Sequence, residues 1–224
     1  MKRDRGGAIA GRSTHVSLRT ARGRRIGSQR WLTRQLNDPY VRAAREAGWR
    51  SRAAFKLLQL DDRFHLIRRG AKVLDLGAAP GGWTQVALRR GAAHIIGVDL
   101  LPVEPVPGAV FLEGDVADPA ILLHVADLLG GKVDLVLSDM APNTTGHAPT
   151  DHLRIMALAE LALDVGCGLL AAGGALVIKV FQGGSERQLL EALKRRFRTV
   201  RHAKPPASRP ESSELYAVAM GFRD

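Results

Sequence analysis

Asp99, Asp115 and Asp139 each stand at or just beyond the end of a short apolar run: His94–Asp99, Val110–Leu112 and Val133–Ser138. A carboxylate there can accept hydrogen bonds from sugar hydroxyls or a base amino group. In open α/β sheets the ligand lies beyond the carboxyl ends of the strands. An earlier run, Lys72–Leu76, continues into Gly77-Ala78-Ala79-Pro80-Gly81-Gly82-Trp83, whose glycines let backbone approach a ligand closely. The spacing is not G-x-G-x-x-G, which disfavours a pyrophosphate cradle. Asp99 follows Gly81 by 18 residues, the place of a ribose-binding carboxylate, and Asp115 suits an adenine amino group. Any one of the three could be a cap or turn residue. Together, at successive strand ends, they point to one nucleotide-type ligand.

The run ending Leu137-Ser138-Asp139-Met140-Ala141-Pro142-Asn143 carries no aromatic residue to stack a base, unlike the corresponding loop of base-amino methyltransferases. Cysteine-nucleophile chemistry is also disfavoured. The one thiol, Cys167, sits in a Leu- and Ala-rich helical stretch and reads as a core residue. Lys179 ends the run Ala175-Leu176-Val177-Ile178, so its stem is apolar in surroundings; a snorkelling lysine and a functional amine both fit. No His/Cys/Asp cluster has metal-ligand spacing, His147 and His152 standing without further ligands nearby, and no metal is expected.

Positioning these residues takes alternating strands and helices. Strands are predicted at Lys72–Leu76, His94–Asp99, Val110–Leu112, Val133–Ser138 and Ala175–Phe181, with helices near Thr84–Arg90, Pro119–Leu129, His152–Ala171 and Glu186–Phe197. Val-, Ile- and Leu-rich strands separated by helices indicate a parallel sheet covered on both faces, a doubly wound α/β domain. Two last strands, near Thr199–His202 and Leu215–Met220, read as a hairpin. Before the first strand, Asn37–Asp38 is a helix cap ahead of Val41–Ala47, and Ser51 is expected to cap a helix from Arg52 to Leu60.

Across 224 residues the formal net charge is +11, and its placement is uneven. Residues 1–52 hold 14 Lys+Arg against three acidic residues, which already accounts for +11, so residues 53–224 balance. Clustered arginine implies a polyanion partner, or a solubilising leader. Residues 1–30, rich in Arg, Gly and Ser, are expected to be a flexible basic extension ahead of a domain over 31–224. Trp31 and Trp49 are candidates either for stacking on bases or for packing on the core. No apolar segment reaches the length of a membrane span, no signal peptide is visible, and one cysteine fits a reducing cytoplasm.

With these residues in place the sequence resembles the RrmJ/FtsJ family of S-adenosylmethionine-dependent ribose 2′-O-methyltransferases. The matching residues are Arg50-Ser51-Arg52 through Phe55-Lys56, the Asp75–Trp83 loop, Asp99-Leu100-Leu101-Pro102, Ser138–Asn143, Lys179–Gly183, and Ser208-Arg209 with Ser213-Glu214-Leu215-Tyr216. They extend from about Trp31 to Gly221. The resemblance implies a class I methyltransferase: a Rossmann-like, seven-stranded, mostly parallel sheet with the last strand antiparallel. It implies a catalytic tetrad of Lys56, Asp139, Lys179 and Glu214, with Lys179 as proton acceptor. S-adenosylmethionine is the implied cofactor, held by Gly81, Trp83, Asp99, Asp115 and Asp139. The implied partner is ribosomal RNA in the large subunit, methylated on a uridine of the A-loop late in ribosome assembly, by a cytoplasmic monomer. The family carries Arg where Ser213 stands, and often an aromatic where Ala54 stands.

The chemistry asked of that tetrad is concrete. A ribose 2′-hydroxyl is a poor nucleophile until its proton is leaving, and a lysine amine takes that proton only when burial and a second cation bring its pKa below ~10.4. Three other readings are open to the sequence. An NAD-type oxidoreductase would use Asp99 and leave Lys56 and Lys179 idle. A non-catalytic ribosome-assembly RNA-binding protein would need the basic segment alone. A transfer-RNA or messenger-cap 2′-O-methyltransferase would share the tetrad.

Overall fold

The computed structural model describes residues 26–142, 145–182 and 186–224. The segment before Ile26, Asn143 and Gly183 lie outside the described residues, as does the Trp31 side chain. Three helices come first: α1 (Ile26–Asn37), α2 (Pro39–Glu46) and α3 (Ala53–Phe64). They are followed by β1 (Lys72–Leu76), α4 (Gly82–Arg90), β2 (His94–Asp99), β3 (Ala109–Glu113), α5 (Pro119–Leu129), β4 (Val133–Ser138) and α6 (Ala148–Leu169). The chain ends in β5 (Leu170–Phe181), α7 (Glu186–Arg196), β6 (Phe197–Ala203) and β7 (Glu214–Phe222). The seven strands form one sheet in the order β3-β2-β1-β4-β5-β7-β6. β1 to β5 are parallel, and β7 runs antiparallel between β5 and β6.

Strand alternation sends successive side chains to opposite faces. On β1, Leu74 and Leu76 enter one core with α5, α6 and α7, while Val73 enters the other with α2, α3 and α4. On β5, Leu176, Ile178 and Val180 face the first core and Val177 the second. Lys179, two residues after Val177, therefore shares a face with α3. On β7, Tyr216 and Val218 lie on that same side. The pairing sets Lys179 opposite Tyr216, and Phe181 opposite Glu214. The sheet thus delivers two tetrad residues to one edge of the α3 face before any side chain is considered.

The N-terminal helices are built as expected in one place and differently in two others. Asp38 caps α2, its Oδ1 accepting from the Tyr40 N–H at 3.0 Å. Ser51 does not cap α3; the flanking residue is Arg52, and no side chain bonds the first turn. The Ser51 hydroxyl instead points at the start of α4, where a Cβ on Gly82 would come within 2.7 Å of it. Trp49 is buried, at 5% exposure, with the Arg89 guanidinium 4.0 Å from its ring centre, so it packs and does not offer a stacking face. α1 begins at Ile26, so residues 26–30 of the stretch expected to be a flexible extension are helical. Among the described residues no helix is long and apolar enough to cross a membrane.

Candidate active site

Beyond the carboxyl ends of β1, β2 and β4 lies a cleft of about 290 Å³. Val98, Leu101, Val116, Met140 and Leu158 give it apolar walls, and Asp99, Asp115 and Asp139 give it carboxylates. Asp99 is locked by backbone: Oδ2 accepts from the Ala79 N–H at 2.8 Å, and Oδ1 from the Leu101 N–H at 2.9 Å. Each oxygen keeps a lone pair for a hydroxyl donor. Asp115 is exposed and uses Oδ1 on the Ala117 N–H, at 2.9 Å. The floor needs glycine. Gly77 has φ +74°, and a Cβ there would lie 2.8 Å from Met140 Cγ.

Gly81 and Trp83 do not line this cleft. Gly81 is the residue before α4, at φ +102°, and the Arg50 guanidinium packs against it. That guanidinium donates to the carbonyls of Pro80, Glu104 and Pro105, stapling the glycine loop to the chain that follows β2. The Trp83 side chain points away into the core, donating Nε1–H to the Ala53 carbonyl at 2.8 Å and packing its ring 5.6 Å from that of Tyr216.

Lys56, Asp139, Lys179 and Glu214 meet in one cluster. Lys179, 7% exposed, has Nζ 2.7 Å from Asp139 Oδ1 and donates to the Asp139 carbonyl at 2.8 Å. Its distance to Glu214 Oε2 is 3.7 Å. Lys56 Nζ donates to Glu214 Oε2 at 2.8 Å and stands 3.9 Å from Asp139 Oδ1. Two cations and two carboxylates interleave, which is how charge is held in so dry a place. Burial alone would push the Asp139 carboxyl up; the Lys179 and Lys56 ammoniums outweigh it and hold it below the ordinary carboxylate range.

Two further groups complete the cluster. The Tyr216 hydroxyl donates to Asp139 Oδ1 at 2.6 Å. Burial first, then the charges of Asp139 and Glu214, raise its phenol well above 10, so it stays a donor. The Ser208 hydroxyl donates to Glu214 Oε1 at 2.8 Å. Sequence reasoning assigned neither a role. Strand period could have found Tyr216, which shares a face of β7 with Glu214 two residues earlier.

A second cleft, of about 310 Å³, opens on the other side of the cluster and is lined by Arg52, Lys56, Arg209, Glu211, Ser212 and Glu214. Its two arginines converge on one carboxylate. Asp38 Oδ2 lies 3.0 Å from Arg52 Nη1 and 3.4 Å from Arg209 Nη2. Asp139 lines the first cleft, and Lys56 and Glu214 line the second. The tetrad is the wall between them. Among the described residues no group of three or more His, Cys, Asp or Glu is placed to hold a metal ion.

The sheet order, the antiparallel β7 and a cleft at the parallel strand ends joined to a charged cluster define a methyltransferase of the doubly wound α/β class. The FtsJ-like methyltransferase family model matches residues 49–222, and the chain belongs to that family. A Granulibacter bethesdensis protein named ribosomal RNA large subunit methyltransferase E is 68% identical over 93% of this chain and 90% of its own length. A Gluconobacter oxydans protein of the same name is 64% identical over 96% of this chain and 81% of its own. Among solved structures, a Plasmodium falciparum protein described as a ribosomal RNA methyltransferase superposes with TM-score 0.71 at 29% identity, covering 78% of this chain and 98% of that one.

Proposed function

We propose that this chain methylates the 2′-hydroxyl of a uridine ribose in large-subunit ribosomal RNA, in the A-loop, late in subunit assembly in the cytoplasm, with S-adenosylmethionine as methyl donor. The observation that carries the reading is the tetrad's position as a shared wall. Asp139 belongs to the apolar, carboxylate-bearing cleft, and Lys56 and Glu214 belong to the arginine-bearing one. A donor and a polyanionic acceptor held in the two clefts face each other across Lys179. The names of the curated relatives, both ribosomal RNA large subunit methyltransferases, support the substrate class.

The first cleft suits the donor. Asp99 would take the ribose hydroxyls, Asp115 the adenine amino group, and the apolar walls the adenine ring, with the amino-acid end toward Gly77 and Ala79. When bound, S-adenosylmethionine supplies an electrophilic methyl group on a sulfonium. The chain's own task is to position the hydroxyl and remove its proton. A neutral lysine amine has two N–H donors and one lone pair. Both donors of Lys179 have acceptors on Asp139, at Oδ1 and at the carbonyl. The lone pair of Nζ is left for the 2′-hydroxyl proton. Lys56 is the neighbouring amine, and Asp139, Glu214, Tyr216 and Ser208 fix the two in place.

Incubation with labelled S-adenosylmethionine and either ribosomal subunits, free ribosomal RNA or transfer RNA tests this. Label is expected in the large-subunit arm, recovered as 2′-O-methyluridine. Label in transfer RNA alone, or none in any arm, would overturn the assignment.

A further inference from the structure

The balanced charge of residues 53–224 conceals a one-sided arrangement. Lys194, Arg195 and Arg196 form the last turn of α7, Arg198 and Arg201 lie on β6, and Arg223 follows β7. All six are exposed. Among the described residues none is within ion-pair distance of a carboxylate; the nearby Glu191 is committed to Arg187, at 3.9 Å. The sheet order makes β6 a free edge, so the cations wrap the end of the sheet and not a groove.

Some are held in place. The Arg196 guanidinium lies 5.5 Å from the ring centre of Phe222, and the Arg223 N–H donates to the Arg196 carbonyl at 2.7 Å. The stem of Arg198 lies against Gly221, where a Cβ would meet it at 3.1 Å. Side chains already packed on the fold lose less side-chain entropy on meeting an anion.

The far end of the cluster is remote from the tetrad. Lys179 is opposite Tyr216 and Phe222 closes β7 opposite Phe197, so six strand steps, roughly 20 Å, separate Lys179 from the Arg196–Arg198 end, whereas Arg201, opposite Val218, lies nearer. A nucleotide at Lys179 cannot reach that far. We propose that this edge is a second contact surface for the phosphate backbone of a structured RNA, gripping a segment distant from the nucleotide being modified. The proposal rests on the reading of RNA as substrate. Unpaired cations spread along an edge suit a phosphate run, in which each neutralised phosphate releases a counterion. They do not suit a second copy of the chain, whose edge carries the same charge.

The test is Arg196→Gln, Arg198→Gln and Arg223→Gln combined, which keeps the edge polar. Binding is titrated against salt with a large-subunit ribosomal RNA transcript, with a short hairpin carrying the target uridine, and with vesicles containing anionic lipid. For the transcript, affinity is expected to fall at least tenfold and the slope of log K against log salt to flatten by roughly two to three. Hairpin binding and single-turnover transfer to the hairpin should stay at wild-type values. Lys194→Gln with Arg195→Gln, clear of the Phe222 and Gly221 contacts, should show the same effect in smaller measure and guards against misfolding of the triple variant. Unchanged transcript affinity and slope would overturn the surface, as would an equal loss on the hairpin or a loss confined to vesicles. Absence of methyl transfer by the wild-type chain would count against the proposed reaction and leave this binding readout intact.

Discussion

Lys179 Nζ lies 2.7 Å from Asp139 Oδ1 and 2.8 Å from the carbonyl of the same residue, so one aspartate takes two of the amine's directions. A substitution at 179 can separate a base from a steering cation. An arginine at 179 would keep a positive charge but has no lone pair at any working pH. Lys179→Arg is expected to lose transfer as completely as Lys179→Met, with cofactor affinity kept in both. Rates within tenfold of wild type for the arginine variant would make the residue a steering cation.

Tyr216 donates to the same oxygen of that carboxylate. Tyr216→Phe keeps the ring against Trp83 and removes the hydroxyl that meets Asp139 Oδ1. Leaving a buried carboxylate one donor short costs about 1–3 kcal/mol. A fall in kcat of roughly ten- to a hundredfold is expected, with the KM for RNA little changed. A KM effect alone would place the tyrosine in binding instead.

Asp38 serves two structures at once, capping α2 with one oxygen and bridging Arg52 and Arg209 with the other. Asn is also a good cap. Asp38→Asn should therefore keep the cap but weaken RNA binding and lower stability by about 3 kcal/mol, because the two guanidiniums then repel each other without the buried charge that bridged them. Asp38→Ala should lose the cap as well, about 0.5–2 kcal/mol. Equal RNA affinity for wild type and Asp38→Asn would remove Asp38 from the positioning of the second cleft.

Asp75 gives a pH dependence of stability. Its Oδ2 accepts from the Thr84 hydroxyl at 2.7 Å, while Oδ1 is buried without a partner among the described residues. Burial above all, with the charges of Asp139 and Asp99 added and the Thr84 bond opposing, raises its carboxyl to about 7. The unfolded chain releases this proton near ~3.9. The group's contribution is thus fully present below that value, falls as pH rises to about 7, and is level above it. Asp75→Asn lacks this slope. Its Tm relative to wild type should climb by several degrees between pH 5 and pH 8; parallel Tm curves would refute the raised carboxyl.

Much of this was legible in the sequence, and the limits are physical. Lys72–Leu76, His94–Asp99 and Val133–Ser138 fall where their apolar runs end, because parallel strands buried on both faces leave no polar ambiguity. β5 starts at Leu170 and not Ala175, since Gly173 and Gly174 hide the strand's beginning. The insertion of β7 between β5 and β6 is a pairing choice that no local pattern encodes. Asp38 and Arg209 are 171 residues apart, and a carboxylate that also caps a helix gives no sign of a second task. Arg50 shows the opposite failure. Counted with the basic N-terminal segment, it is committed to three backbone carbonyls and holds the glycine loop.

The most direct test of the whole account is a single-turnover transfer of labelled methyl from S-adenosylmethionine to large ribosomal subunits by wild type and Lys179→Met, followed by digestion to nucleosides. Label is expected in 2′-O-methyluridine for the wild type and none for the variant, with equal cofactor binding by both. Label on a base, or turnover by Lys179→Met, would contradict it.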